Sequence, residues 1–305
     1  MKKIASLFSV LILCTALAGC AGKPENTTAQ TAAPVSYENA KVSYLGPEGT
    51  YTQEACETFF GIQGEYIPYK TVNNAVQALA CGESDYAVIP QENTIGGAVT
   101  DYIDTLIGQT GVSVAGEVEL PINQNLLVLP GTELGEIKTV YSHKQGIAQG
   151  KEWLSENLPG AEVIEVSSTA EGAKMVSEGS DKSCAAIASA SCARVYGLDV
   201  LAAAIQNNDR NKTRFYVLSP DEPSTAASDR LAFIASGAAS ELTSLLTGMK
   251  ELKMTLVALH DRPLKTELGQ YSYVIECADS SYESYLKLAG KCSFDFRYLG
   301  SFTVR

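Results

Sequence analysis

Residues 41–60 read KVSYLGPEGTYTQEACETFF, and the fold is decided in this stretch. Val42, Ser43, Tyr44 and Leu45 suit an extended strand, because β-branched and aromatic side chains fit a pleated surface. Gly46-Pro47-Glu48-Gly49-Thr50 continues neither a strand nor a helix and makes a turn. A helix is expected from Tyr51 to Phe60. The same unit recurs outward. Strands are expected at 66–69 and 86–90, a helix at 72–81, and a further helix from near Thr94. A second run has strands at 126–129, 139–142, 161–166 and 184–187, with helices at 145–158, 169–179 and 189–196. Such alternation predicts an α/β fold of parallel sheets wrapped by helices. Two runs predict two lobes, with a return crossing near residues 200–218. Ligands of open α/β sheets sit beyond the carboxyl ends of the strands, so the cleft between the lobes is the expected site.

Residues 221–228 form a Pro/Ser/Ala-rich break after the domain at 41–220. Residues 229–305 then read as β-α-β-β-α-β, with strands at 230–235, 254–259, 271–276 and 294–302 and helices at 240–252 and 282–288. That order is the ferredoxin-like α+β arrangement.

Composition narrows the function. Of 305 residues, 45% are hydrophobic and 19% charged, a globular balance, and the net charge is −12. With no basic excess to displace phosphate counterions, nucleic acid is excluded as a partner. Only His143 and His260 are present, and the eight cysteines form no C-x-x-C pair, so no metal site is expected.

The N-terminus reads as a targeting segment. Lys2 and Lys3 precede an apolar run from Ile4 to Ala18, too short for a membrane span, which ends in Leu17-Ala18-Gly19-Cys20. We expect a lipoprotein signal peptide at 1–19, lipidation at Cys20 and a polar tether over 20–40. The protein would then be extracytoplasmic, held to the membrane by its lipid anchor only. Loss of Lys2 and Lys3 would take the charge from −12 to −14. Cys56, Cys81, Cys184, Cys192, Cys277 and Cys292 would remain, either as disulfide partners or as small core residues.

Four segments at strand ends or helix starts carry groups able to do chemistry. In Gly46–Thr50 the glycines permit a tight turn, and the following helix start offers free N–H groups to an anion. In Ile89-Pro90-Gln91-Glu92-Asn93-Thr94-Ile95-Gly96-Gly97, Asn93 or Thr94 can cap a helix, while two glycines inside it would be unfavourable and suggest a close approach. In Ser142-His143-Lys144-Gln145, Gln145 can hydrogen-bond a substrate. In Asn211-Lys212-Thr213-Arg214-Phe215, polar groups precede an apolar strand: a hydroxyl, an amide, and a guanidinium able to grip a carboxylate. Each alone could equally be a structural turn.

In their order and wording these segments resemble the prephenate dehydratase family. Tyr44–Thr50 is similar to its opening motif, and Pro90–Gly97 to its P-x-E-N-S-x-x-G, with Thr94 for Ser. Ser142–Gln149 is similar to S-H-P-Q-A-L-A-Q, with Lys144 for Pro, and Asn211–Phe215 matches N-x-T-R-F. The C-terminal unit resembles an ACT domain, including Arg262-Pro263 and Leu299-Gly300-Ser301-Phe302. The resemblance spans 41–305. It implies a catalytic domain like a type II periplasmic binding protein, a homodimer paired through the ACT sheets, and conversion of prephenate to phenylpyruvate without a cofactor. It further implies that Thr213 donates to the leaving hydroxyl, with Asn211 and Arg214 beside it. Arg214 and helix starts at Thr50 and Thr94 would neutralise carboxylates, and Asn93, Gln145, Asn211 and Phe215 would orient the ring. Gly237, Ala238, Arg262 and Pro263 would bind L-phenylalanine. Feedback is expected to be weakened, because Gly237-Ala238-Ala239-Ser240 and His260-Asp261-Arg262-Pro263 depart from G-A-L-V and E-S-R-P. The same two lobes would also suit an exported solute receptor or an aromatic-compound sensor without turnover.

Overall fold

The computed structural model describes residues 37–305, apart from Glu38 and Gln63. The expected signal segment, Cys20 and most of the tether lie outside the described residues. Tyr37–Arg305 form one compact unit. No helix among the described residues is long and apolar enough to cross a membrane.

The first lobe contains β1 (Lys41–Leu45), α1 (Tyr51–Phe60), β2 (Glu65–Tyr69), α2 (Val72–Ala80), β3 (Tyr86–Asn93), β4 (Gly97–Ala98), α3 (Thr100–Gly108) and β5 (Ser113–Pro121). The second contains β6 (Asn125–Val128), β7 (Thr139–Ser142), α4 (Lys144–Asn157), β8 (Glu162–Glu165), α5 (Thr169–Gly179), β9 (Cys184–Ala188), α6 (Ala190–Tyr196) and β10 (Asp199–Ala202). The chain returns as β11 (Lys212–Ser219). It then forms β12 (Arg230–Ala238), α7 (Leu242–Glu251), β13 (Thr255–Pro263), β14 (Gln270–Ala278), α8 (Tyr282–Ala289) and β15 (Asp295–Val304).

Helix α1 shows why the opening stretch folds as it does. Thr52, Ala55, Cys56 and Phe59 recur at helical spacing and are all buried, and Gly61 ends the helix at φ +91°. Ala55, Cys56 and Phe59 pack on Val42, Tyr44, Val88, Phe215 and Val217, one face of the first sheet. The opposite face, with Ala87, Ile89, Tyr216 and Leu218, packs on α2, α3 and the C-terminal strands. The second lobe's sheet runs β10-β6-β9-β7-β8 and carries its own cores.

The parallel expectation holds for β2-β1-β3 and for β8-β7-β9, but both sheets also contain antiparallel strands. β11 lies antiparallel between β3 and β5, and β6 lies antiparallel between β9 and β10. The return crossing thus inserts a strand into the first sheet instead of extending its edge. The helix expected near Thr94 is also corrected. β3 runs through Asn93, a turn leads to β4, and α3 starts only at Thr100 with Val99 at its N-cap. Gly97, at φ +74°, makes a hairpin there, which explains the two glycines without a helix.

In the C-terminal unit the order is β13-β14-β12-β15, antiparallel throughout. Its edge strand β15 pairs in parallel with β5, Thr303 opposite Gly116 and Val304 opposite Glu117, so this sheet continues into the first lobe. All six described cysteines are unpaired, and Cys56, Cys192 and Cys277 are buried.

Candidate active site

A cavity of about 390 Å³ lies between the lobes, in the size range of small-molecule sites. The first lobe contributes Leu45, Thr50 and Asn93, and the second contributes Gln145, Gln149 and Ser168. Asn211, Thr213 and Phe215 come from the returning chain. Six residues expected from sequence therefore meet at one cavity: Thr50, Asn93, Gln145, Asn211, Thr213 and Phe215.

Their geometry centres on Asn93, which faces Thr213 across the β3–β11 pair. Asn93 Nδ2 donates to Thr213 Oγ1 at 2.9 Å and to Asn211 Oδ1 at 2.8 Å. Its Oδ1 accepts from the N–H groups of Ile95 at 3.0 Å and Gly96 at 2.8 Å, which closes the hairpin turn. Gln145 Nε2 reaches the same oxygen from the second lobe at 3.4 Å. Thr213 accepts from Asn93, so its own O–H is free to donate into the cavity. Asn211 is 2% exposed, and its Nδ2 has no partner, a buried donor left beside the cavity.

The electrostatics come from the backbone. Among the described residues, no Lys, Arg, Asp or Glu lines the cavity. Instead three helices begin at it: α1 after Thr50, α4 after His143, and α5 after Ser168. Unpaired N–H groups and the positive dipole end make each start attractive to an anion. Ser168 caps α5 by accepting from Glu171 N–H at 3.0 Å, and His143 Nδ1 accepts from Gln145 N–H at 3.3 Å. Thr50 spends its hydroxyl on Leu45 C=O at 3.3 Å and leaves its helix start uncapped by a side chain. Tyr51 O–H donates to Asn123 C=O at 2.7 Å, tying α1 to the crossing between lobes.

Two expected residues are not brought to the cavity. Thr94 faces Lys212, donating to its C=O and accepting from its N–H, each at 3.1 Å, and offers no helix start to an anion. Arg214 follows the two-residue alternation of β11 and points to the opposite face from Thr213 and Phe215. There it meets Glu92 at 2.7 Å, Glu276 at 3.0 Å and Glu117 at 3.5 Å. It is therefore not positioned to grip a carboxylate in the cleft. Conversely, Ser167, Ser168 and Thr169 line the cavity without having been singled out. The signal was present: a polar run between a strand end and a helix start, as at Thr50.

Behind the site, burial and charge shape the ionisable groups. Glu117 is fully buried, and its carboxyl is pushed up to about 8 by burial and by the charge of Glu276. Burial works in the same direction on Glu276, but Arg214 and hydrogen bonds from Gln91 and Tyr216 outweigh it and hold it below the ordinary range. Burial lowers His260, whose Nε2 lies 3.8 Å from Glu92.

In the C-terminal unit, Gly237 on β12 and Pro263 on β13 both pair opposite Tyr271 of β14, so the expected effector segments share one end of the sheet. Ala238 ends β12 and caps the short helical turn that follows. Arg262 reaches instead to Asp104 of α3, donating from Nε at 2.5 Å and from Nη2 at 2.7 Å.

The fold and cavity define a two-lobed α/β protein with a donor-rich cleft of small-molecule size, lined among the described residues by no Lys, Arg, Asp or Glu. The chain belongs to the prephenate dehydratase family, whose model matches residues 42–223. A bifunctional chorismate mutase/prephenate dehydratase of Neisseria gonorrhoeae is 34% identical over 267 residues, covering 86% of this chain and 74% of that protein. A prephenate dehydratase of Amycolatopsis methanolica is 33% identical over 273 residues, covering 86% and 88%. The structure of a prephenate dehydratase from Arthrobacter aurescens in complex with L-Phe matches with a TM-score of 0.76 at 28% identity, covering 86% and 90%.

Proposed function

We propose that this chain converts prephenate to phenylpyruvate, carbon dioxide and water. The observation that carries the proposal is the Asn93–Thr213–Asn211 cluster, set among three helix starts around a cavity of suitable size. In the reaction, the bond from the ring to its carboxylate breaks, and its electron pair completes the aromatic ring. The opposite carbon–oxygen bond breaks, and the hydroxyl leaves as water after taking one proton. Thr213 passes its hydroxyl proton to that departing oxygen and regains one from solvent, while Asn93 holds Oγ1 in place. An alcohol is a weak acid, so position and preorganised donors supply most of the effect. The two carboxylates of the substrate lie at helix starts, where Arg214 is not needed. Asn211 Nδ2 and Gln145 orient the ring substituents. Incubation of the purified protein with prephenate should release phenylpyruvate, and Thr213→Val should lower kcat at least about 100-fold, the scale of losing one preorganised donor. Undiminished turnover by the variant would remove Thr213 from the mechanism, and tight binding without product would favour a receptor.

We further infer that the C-terminal unit is an ACT-type regulatory module through which the chain pairs as a homodimer. Its β-α-β-β-α-β order supports this, as does the relative crystallised with L-Phe. With Arg262 held by Asp104, L-phenylalanine should inhibit weakly, and strong inhibition at micromolar effector would refute this. The Leu17-Ala18-Gly19-Cys20 box supports export and lipidation at Cys20. Cys20→Ser should move the protein from the membrane to the soluble fraction, and an unchanged distribution would refute the anchor.

A further inference from the structure

Strand β3 breaks its alternation just before the site. Val88 belongs to the cleft-side core, Ile89 to the opposite face, and Pro90 lines the cavity again. Gln91 then turns to the rear face, where its Nε2 donates to Glu276 Oε2 at 3.0 Å. Strict alternation would send Glu92 to the cavity and Asn93 to the rear. The register with β11 shifts at this point: Phe215 pairs with Pro90, but Arg214 pairs with Glu92, leaving Gln91 as an extra residue. A β-bulge of this kind re-aims the side chains that follow it. Here it keeps Glu92 on the rear face, against Arg214, and turns Asn93 into the cavity opposite Thr213.

The rear-face groups that fix the bulge converge on one carboxylate from the C-terminal unit. Glu276 Oε1 accepts from Arg214 Nη1 at 3.0 Å and Arg230 Nη1 at 2.6 Å, and Oε2 accepts from Gln91 and, at 2.8 Å, from Tyr216 O–H. Glu276 is 1% exposed and does not line the cavity. We propose that Arg214 and Glu276 are positioning residues, which pin the Gln91 bulge and so aim Asn93 at Thr213. Arg214 grips Glu92 on β3, the residue before Asn93, and Glu276 holds both the bulged Gln91 and the Arg214 fork. The C-terminal unit thereby completes the site without touching the substrate. This role rests on the dehydratase reading.

The test is a double-mutant cycle with Glu276→Gln and Arg214→Gln. Each should lower kcat roughly 10- to 100-fold, the effect of a small misplacement of a reacting group, with KM changed by less than about threefold. The double variant should lose little more than the worse single, because both act through one bulge. Arg214→Lys, which keeps the charge but not the fork, should recover only part of the activity. A large rise in KM with kcat intact in Arg214→Gln would make Arg214 a substrate ligand and overturn the proposal, as would additive losses. Hydrogen exchange at the Ile95 and Gly96 amides, which donate to Asn93 Oδ1, should quicken in both single variants, and unchanged protection would also overturn it. Absence of turnover in the unaltered protein would defeat the dehydratase reading, and the exchange measurement would still decide the positioning role. Glu276→Asp serves the same readouts if the Gln variant does not fold.

Discussion

Thr213 and Arg214 are neighbours in sequence and opposites in environment. One presents a hydroxyl to the cavity between the lobes, and the other sits among Glu92, Glu117 and Glu276. Period-two geometry alone separates them once β11 is known to be a two-faced strand. The acidic cluster itself was not legible, because its members come from β3, β5 and β14, far apart in the chain. Glu117 gives it a measurable signature. Its folded carboxyl titrates near 8, well above the ordinary value, so between about 4.5 and 8 the folded state keeps a proton that the unfolded chain releases. Glu117 thus contributes stability that is complete below the unfolded value and is lost as pH rises towards 8. The slope is at most about 1.4 kcal/mol per pH unit. Glu276 and His260 act oppositely, both favouring the fold less as pH falls. Denaturant titrations across pH 5–8 should show the alkaline loss flattened in Glu117→Gln, and a parallel loss in the variant would assign it to another group.

At the scale of elements, most boundaries were readable because apolar residues recur at helical or strand spacing, as in α1 and α5. What failed was the segment from Asn93 to Val99. Asn and Thr followed by apolar residues look like a helix start, yet Asn93 uses its Oδ1 to close a hairpin turn and the helix waits until Thr100. Glycines inside the supposed helix were the discordant signal. Two substitutions separate their roles. A Cβ on Gly97 meets nothing within 4 Å, but the backbone is at φ +74°. Gly97→Ala should therefore cost about 1–2 kcal/mol through conformation alone, lowering the melting temperature by a few degrees. A Cβ on Gly96 would instead lie 3.2 Å from Gln145 Nε2, where the hairpin meets the other lobe. Gly96→Ala should spare stability and lower kcat/KM, and the reverse pattern in melting and kinetics would refute this division.

The whole molecule carries a net charge of −12, yet the proposed substrate is a dianion and, among the described residues, no Lys or Arg lines its cavity. Attraction comes from helix starts inside the cleft, where low dielectric and enclosure limit screening. Repulsion comes from carboxylates spread over the exposed surface, where salt screens strongly. The Debye length falls from about 30 Å at 0.01 M to about 8 Å at 0.15 M, so added salt should remove the repulsion and leave most of the attraction. Raising ionic strength over this range should therefore increase kcat/KM for prephenate while leaving kcat unchanged, since the bound complex is already sheltered. Lys70 and Lys174 oppose this expectation, because they line a second opening between the lobes that shares Gly46 with the main cavity. Glu48 and Glu171 line the same opening and offset them. A fall in kcat/KM with salt, abolished by Lys70→Met with Lys174→Met, would show that the two lysines outweigh the global charge in substrate capture.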